Sequence, residues 1–311
     1  MPRSIRDVYG DMLVKYGRDN ENIVVLDADV SGSTKSAGFG KAYPERFFNV
    51  GIAEANMVAM AAGLSTTGKI PFANTFAVFM TSIGLIGARA FGSYSKLNIK
   101  LMGAYGGMSD ALDGPTHHAI EDLAIMRSLP NFEVLVATDE VQTEWLIQHA
   151  IEHKGPMYIR LSRDAAPDVY KPGAKFEAGK GNVVRDGDDV TIFACGIMVG
   201  NAMAAAANLA KKGIECRVVD LFSIKPIDAD LIVESAKKTG AVVTAEEHNI
   251  IGGLGSAVSE VLVSRMSCVP VEFIGLDDTH AECGPYPELL CKYGLDSDSI
   301  ELGVERVLAR K

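Results

Sequence analysis

The strongest constraint on the fold is an alternation of short apolar segments with longer helical segments. In the first half, residues 54–66 form one such helical segment, rich in Ala and Met, and Gly68 follows its end. Strands that alternate with helices of this length predict a mostly parallel sheet with helices on both faces. Five apolar segments are the expected strands, at 23–29, 69–76, 98–105, 133–138 and 157–162.

The same pattern begins again after an interruption at residues 164–177, which contain Pro167, Pro172, Gly173 and several charged residues. The second half has predicted strands and helices in turn, at 189–196, 198–212, 214–222, 228–239, 241–246, 255–266 and 269–276. We therefore expect an α/β protein with two consecutive domains, at 1–165 and 178–311, joined by a linker at 166–177. Each domain is expected to have its own mostly parallel sheet.

Composition excludes several classes of partner. The formal net charge of the 311 residues is −10, whereas binding of nucleic acid requires clustered Lys and Arg to neutralise phosphates. No segment approaches the ~20 uninterrupted apolar residues of a membrane span, and the N-terminus lacks the apolar core of a signal peptide. The cysteine number is odd and no CxxC pair occurs, so we expect reduced thiols and a cytoplasmic protein. The cysteines are Cys195, Cys216, Cys268, Cys283 and Cys291.

Ligands of parallel sheets bind at the carboxyl ends of strands, which directs attention to the segments just after Asp29, Phe76, Tyr105 and Ser162. Glu54 is the one acid at the start of an apolar helix. Burial would raise its pKa and the helix terminus would lower it, so its carboxyl could share a proton with a ligand nitrogen. The alternative role is that of a partner for the helix dipole. Phe76 and Phe79 share one side of a helix start, as core residues or as a platform for a flat heterocycle.

A glycine-rich loop follows the third predicted strand and carries the segment Leu-Asp-Gly-Pro-Thr-His-His at 112–118. It places Asp113 and His117 four residues apart, either for ligand binding or as a turn that caps the next helix. Arg163 ends the last strand of the first half and could pair with a surface acid or hold a phosphate. Ser33 lies in a hydroxyl-rich turn after the first strand, suited to an anion or purely structural.

Taken together, these segments resemble the transketolase family, which includes the 1-deoxyxylulose-5-phosphate synthases, over the chain from Arg3 to the C-terminus. The sequence contains no GDG followed by Asn-Asn, the family's motif for Mg²⁺ and diphosphate. In the family, thiamine diphosphate lies between two domains from different subunits. The resemblance implies that this chain supplies the pyrimidine side and no metal ligand. A separate N-terminal subunit with the GDG…N motif would bind the diphosphate and Mg²⁺.

The resemblance also assigns roles at the cofactor. Glu54 matches the acid that contacts the pyrimidine ring nitrogen, and Phe79 matches the ring stacked on the pyrimidine, with Phe76 beside it. Ser82 stands where an aromatic residue or an arginine usually flanks the cofactor. Cofactor use is compatible with that difference.

At the substrate, Asp113 and His117 match residues that contact the donor sugar, so His117 joins Glu54 as a catalytic candidate. Arg163, Ser33 and Arg3 match residues that hold the substrate phosphate. Tyr105 stands where transketolases have a histidine and the deoxyxylulose enzymes an arginine, which leaves the identity of the sugar open.

The implied activity is transfer of a two-carbon ketol unit from a ketose phosphate to an aldose. Alternatives are a 1-deoxyxylulose-5-phosphate synthase-like enzyme, the β subunit of a 2-oxoacid dehydrogenase and a non-catalytic assembly subunit. The loop at 113–117 favours the ketose-phosphate enzymes over the dehydrogenase. Helices at 57–63 and 80–90, rich in small and apolar residues, predict an exposed apolar face. We therefore expect at least a homodimer, and a heterotetramer with the diphosphate-binding subunit.

Overall fold

The computed structural model describes residues 3–267 and 269–311, so the thiol prediction for Cys268 lies outside the described residues. Two mostly parallel sheets follow one another along the chain, as predicted. The strands are β1 Ile23–Asp27, β2 Phe47–Asn49, β3 Ile70–Phe76, β4 Lys100–Ala104, β5 Glu133–Val136, β6 Met157–Arg160, β7 Asn182–Arg185, β8 Val190–Ala194, β9 Cys216–Asp220, β10 Ser223–Lys225, β11 Val242–Asn249 and β12 Val271–Leu276. The first sheet has seven strands in the order β10-β5-β6-β4-β3-β1-β2, and the second has five in the order β12-β11-β8-β9-β7.

The described residues also form thirteen α-helices, a 3₁₀ turn at Pro44–Arg46 and a π-helix at Ala88–Tyr94. None of these helices combines the length and the hydropathy that crossing a membrane requires. The α-helices are α1 Ile5–Asp19, α2 Ser31–Thr34, α3 Ala37–Ala42, α4 Glu54–Ser65, α5 Ala77–Ser82, α6 Leu85–Gly87, α7 Asp122–Ser128, α8 Glu140–Glu152, α9 Met198–Ala210, α10 Ala229–Thr239, α11 Leu254–Arg265, α12 Tyr286–Lys292 and α13 Ser297–Leu308.

Helices cover both faces of each sheet, which explains why the strands read as continuous apolar segments. Val25 of β1 packs with α1 and α8 in one cluster, whereas the next residue, Leu26, packs with α4 and α7 in another. In the second sheet, Ile192 of β8 packs with α9 and α13, and Phe193 packs with α10 and α11. The α/β class with helices on both faces is confirmed.

Strand β10 departs from the expectation that each domain builds its sheet alone. It follows β9 in the second half, yet it pairs antiparallel with β5 at the edge of the first sheet. The junction is reinforced by Lys225, whose Nζ donates to the carbonyl of Arg127 at 3.0 Å and to that of Leu129. Residues 166–177 form no helix or strand, and the domain limits at 165 and 178 stay a prediction.

Candidate active site

The predicted site residues lie along one edge of the first sheet. Strands β1, β2, β3, β4 and β6 are parallel neighbours, so the segments that follow them meet where the strands end. In chain order these segments carry Ser33, Glu54, then Phe76, Phe79 and Ser82, then Tyr105, Asp113 and His117, and finally Arg163. The exception is Arg3, which precedes α1.

Glu54 is the first residue of α4 and only 3% of it is exposed. No donor among the described residues forms a hydrogen bond with its carboxylate, and its oxygens are not among the enclosed polar atoms that lack a partner, so they reach the open edge of the site. A buried carboxylate without a partner, at the edge where ligands bind, is therefore prepared to receive a polar group from a ligand.

An aromatic cluster occupies the ends of β3 and β4. The ring of Phe76 stacks on Tyr105 with centroids 4.4 Å apart and on Phe79 at 5.8 Å. His117 meets Phe79 edge-on at 5.2 Å, and its Nδ1 lies 3.0 Å from the hydroxyl oxygen of Thr116. The glycine-rich loop thus returns to the end of β3, and the rings form an apolar wall with one imidazole at its margin.

Tyr105 adopts an unusual backbone conformation at the centre of this cluster. Its φ is +61°, a left-handed value that costs a residue with a side chain about 1–3 kcal/mol and is concentrated at functional sites. The guanidinium carbons of Arg6 and Arg163 lie 5.2 Å and 5.3 Å from the centre of its ring. The Tyr105 hydroxyl also accepts a hydrogen bond from Arg6. Two arginines therefore flank one buried aromatic ring.

Each of these arginines has a second anchor. Arg6 donates to the backbone carbonyl of Ser33 at 3.1 Å, which joins the predicted anion turn to the cluster. Arg163 donates to Asp110 at 3.2 Å. Burial and then the neighbouring Asp113 carboxylate raise the pKa of Asp110 to about 6, although Arg163 opposes the rise. Arg163 thus stabilises a buried acid and remains partly exposed to the site.

Arg3 and Ser82 have other surroundings. The Arg3 guanidinium donates to Glu140 at 3.0 Å and pairs with Asp11, and its side chain is 40% exposed. Those two carboxylates direct it toward α8, and Arg6 is the α1 residue that reaches Ser33 and Tyr105. Ser82 is exposed and donates to the Val78 carbonyl at 2.6 Å.

The second half of the chain supports the glycine-rich loop. Glu247 in β11 is buried, and its Oε1 accepts the backbone N–H of Met108 at 2.6 Å. Gly107 has φ +67° and passes so close to the Glu247 carboxyl group that a side chain at 107 would collide with it. Arg160 donates to the carbonyls of Ala119 and Glu247 at 3.0 Å and 2.7 Å. Both ends of the loop are thereby fixed against the second sheet.

Sequence reasoning missed Arg6, Asp110 and Glu247. Arg6 lies on a helix with no motif around it, and Asp110 is one acid of two in the same loop. Glu247 belongs to a strand of the other half of the chain. None of the three carries a local signal, because their contacts arise only when distant segments pack together.

Comparison with known proteins agrees with this architecture. Residues 2–168 match the family described as "Transketolase, pyrimidine binding domain" and residues 179–300 match "Transketolase, C-terminal domain". A putative transketolase C-terminal section of Methanocaldococcus jannaschii is 44% identical over 96% of this chain and 94% of its own length. The 6-deoxy-6-sulfo-D-fructose transketolase subunit SqwH of Clostridium sp. (strain MSTE9) is 39% identical over 99% of this chain and 95% of its own length.

A solved structure gives the same result. It is described as "Split gene transketolase, inactive beta4 tetramer" and superposes with a TM-score of 0.90 at 50% identity, over 99% of each chain. The two domain matches together extend over almost the whole chain, as do each of the two relatives and this superposition. The chain therefore belongs to the transketolase family and consists of the family's pyrimidine-binding and C-terminal domains.

Proposed function

We propose that the chain is the pyrimidine-side subunit of a two-subunit, thiamine-diphosphate-dependent transketolase. It would transfer a two-carbon ketol unit from a ketose phosphate to an aldose. The observation that carries the proposal is Glu54, a buried carboxylate without a partner at the sheet edge where aromatic and cationic side chains gather.

The residues at this edge fit the pyrimidine half of the cofactor. Phe79 and Phe76 offer flat apolar surface to the ring, and Glu54 offers a carboxylate oxygen that can hold a proton against a ring nitrogen. When bound, thiamine diphosphate supplies a nucleophilic carbon and an electron sink. Ser82 is exposed at the end of α5, where it would border the cofactor without covering it.

The remaining residues suit a phosphorylated sugar. We assign His117 to a sugar hydroxyl, because the contact of its Nδ1 with Thr116 leaves Nε2 for a ligand. Asp113 is exposed in the same loop and would contact another hydroxyl. Arg163 and the turn at Ser33 would hold the phosphate, and Arg6 adds a second guanidinium beside Tyr105. Arg3 would contribute to this charge from outside the cluster.

The partner in this proposal is an N-terminal transketolase subunit with the GDG…N motif, which would bind Mg²⁺ and the diphosphate. Relatives named as a transketolase C-terminal section and as a transketolase subunit support a divided enzyme. Exposed apolar side chains at Ile83, Ile86 and Tyr94 support an interface, which we assign to self-association and to assembly with the partner. The set of Glu54, Phe79, Asp113 and His117 argues against a purely structural subunit, since assembly alone does not require it.

The test is Glu54→Gln, assayed with the partner subunit and a ketose phosphate donor. Proton transfer by a positioned side chain contributes ~10²–10⁴-fold in rate, so turnover should fall by at least that range. Glu288→Gln is the matched control, because Glu288 also lies in the first turn of a helix but in the second half of the chain. Near-normal turnover of Glu54→Gln, with cofactor binding intact, would refute the assigned role.

A further inference from the structure

We propose that Glu133, His149 and His153 form a binding site for a divalent transition-metal ion of the zinc class. Glu133 is the first residue of β5, His149 lies in the last turn of α8, and His153 is the residue after that helix. Since Glu133 opens its strand, the cluster lies at the amino ends of the strands. The candidate active site lies at their carboxyl ends, so the two sites are separate.

The distances between the potential ligand atoms agree with coordination. Nε2 of His149 lies 2.9 Å from Oε2 of Glu133, and Nδ1 of His153 lies 3.4 Å from Oε1. One ligand atom from each residue can be chosen so that all lie within 4.8 Å of one another. Tetrahedral zinc with bonds of ~2.0–2.1 Å requires ligand atoms about 3.3 Å apart, so small side-chain rotations would admit an ion.

The chemistry of the set points to a transition metal rather than Mg²⁺. Two imidazoles and one carboxylate form a borderline-soft donor set, which Zn²⁺, Ni²⁺ and Cu²⁺ prefer, whereas Mg²⁺ prefers oxygen. Histidines four residues apart at a helix end, with an acid from another element, are a recurrent zinc arrangement. The three side chains are 17–24% exposed, so water can reach a fourth coordination position.

The surroundings hold both imidazoles in place. The ring of His149 stacks on Trp145 with centroids 5.0 Å apart and an interplanar angle of 8°. The ring of His153 lies against the backbone of Gly155, and a Cβ atom added at Gly155 would be 2.7 Å from Nε2 of His153. The buried ammonium of Lys100 donates to the carbonyls of His153 and Gly155, both at 2.9 Å, and leaves the Glu133 carboxylate to the histidines. Ligands already oriented in this way lose little freedom when an ion binds.

The test is zinc binding by the full chain, measured by equilibrium dialysis, with Co²⁺ absorption as the probe of coordination. Cys283 and Cys291 are exposed and should first be replaced by serine, because thiolates bind zinc. We expect one ion per chain and the visible bands of four-coordinate Co²⁺. His149→Ala and Glu133→Gln should each weaken binding by at least ~100-fold, since loss even of outer partners costs 10–100-fold. His280→Ala, which removes an exposed loop histidine of the second half, should change nothing.

Binding that never reaches one ion per chain at millimolar zinc would overturn the proposal. So would undiminished binding to the double variant of His149→Ala and His153→Ala. Circular dichroism and the melting temperature of each variant without metal show whether the fold is intact. Because binding is measured without partner, cofactor or sugar, a negative result here leaves the proposed transketolase activity unaffected.

Discussion

The buried carboxyl of Glu247 makes the stability of this protein depend on pH in a way that one substitution isolates. Burial raises the pKa of Glu247 to about 7, although Arg160 and the Met108 N–H favour the ionised form. The difference from the ordinary pKa of 4.5 corresponds to roughly 3 kcal/mol. A carboxyl with a higher pKa in the folded chain binds its proton more tightly when folded. Its contribution to stability is therefore complete below pH 4.5 and is lost as the pH rises through 7.

Glu247→Gln retains an amide oxygen for the Met108 N–H and carries no charge at any pH. The melting temperature of the variant should therefore rise, relative to the unaltered protein, as the pH is raised from 5 to 8. At an unfolding entropy of ~2.1 cal/mol/K per residue over 311 residues, the loss of roughly 3 kcal/mol of stability lowers the melting temperature of the unaltered protein by roughly 4 °C. Any constant penalty for the amide appears equally at both pH values, so the change with pH is the quantity that tests the reasoning.

Differential scanning calorimetry of both proteins at pH 5, 6.5 and 8 measures this change. Glu288→Gln, at an exposed position, serves as the control and should melt with the unaltered protein at every pH. A melting difference between Glu247→Gln and the unaltered protein that stays constant across this range would refute the reasoning. It would mean that Arg160 outweighs burial and that Glu247 is ionised throughout.

Three further predictions concern the active assembly. Arg163→Ala should raise KM strongly for phosphorylated donors but hardly for hydroxypyruvate, measured in steady-state assays with the partner subunit. An equal rise of KM for both kinds of donor would indicate a structural arginine that only stabilises Asp110. Titration calorimetry of the chain alone with Mg²⁺ and thiamine diphosphate should show no tight binding. One stacked ring and one hydrogen bond stabilise the complex too little to compensate for the entropy lost on association. Tight binding would contradict a site divided between two subunits. Ile86→Glu, at a side chain 74% exposed, should reduce the assembly size in light scattering, and an unchanged mass would exclude this face from the interface.

The sequence contained most of the fold because the strands of a parallel sheet covered on both faces are predominantly apolar. All five residues of β1 and of β8 are buried, and both strands were predicted from their continuous apolar runs. The short strands β2, β7 and β10 escaped prediction. They have three or four residues, and β7 carries exposed side chains such as Val183. Their pairing is decided by neighbouring strands, which leave no trace in the local pattern.

The candidate site was predictable to the extent that topology decides it. Residues that follow strands of one parallel sheet meet at one edge, so Phe76, Tyr105 and Arg163 could be placed together from the sequence. Arg6 could not, since it reaches Tyr105 from a helix that begins before the first strand. The spacing of His149 and His153 is visible in the sequence, but the approach of Glu133 depends on how α8 packs against β5.

Strand β10 has a consequence for any attempt to separate the two halves of the protein. A fragment that ends at residue 165 would lack β10, and the backbone N–H and C=O groups of β5 would form an open edge. Unprotected edges of this kind pair with other chains and aggregate. The first half therefore depends on three residues encoded far downstream. Because the second half completes the sheet of the first, residues 166–177 do not form a free hinge, and we expect the two halves to unfold in one transition.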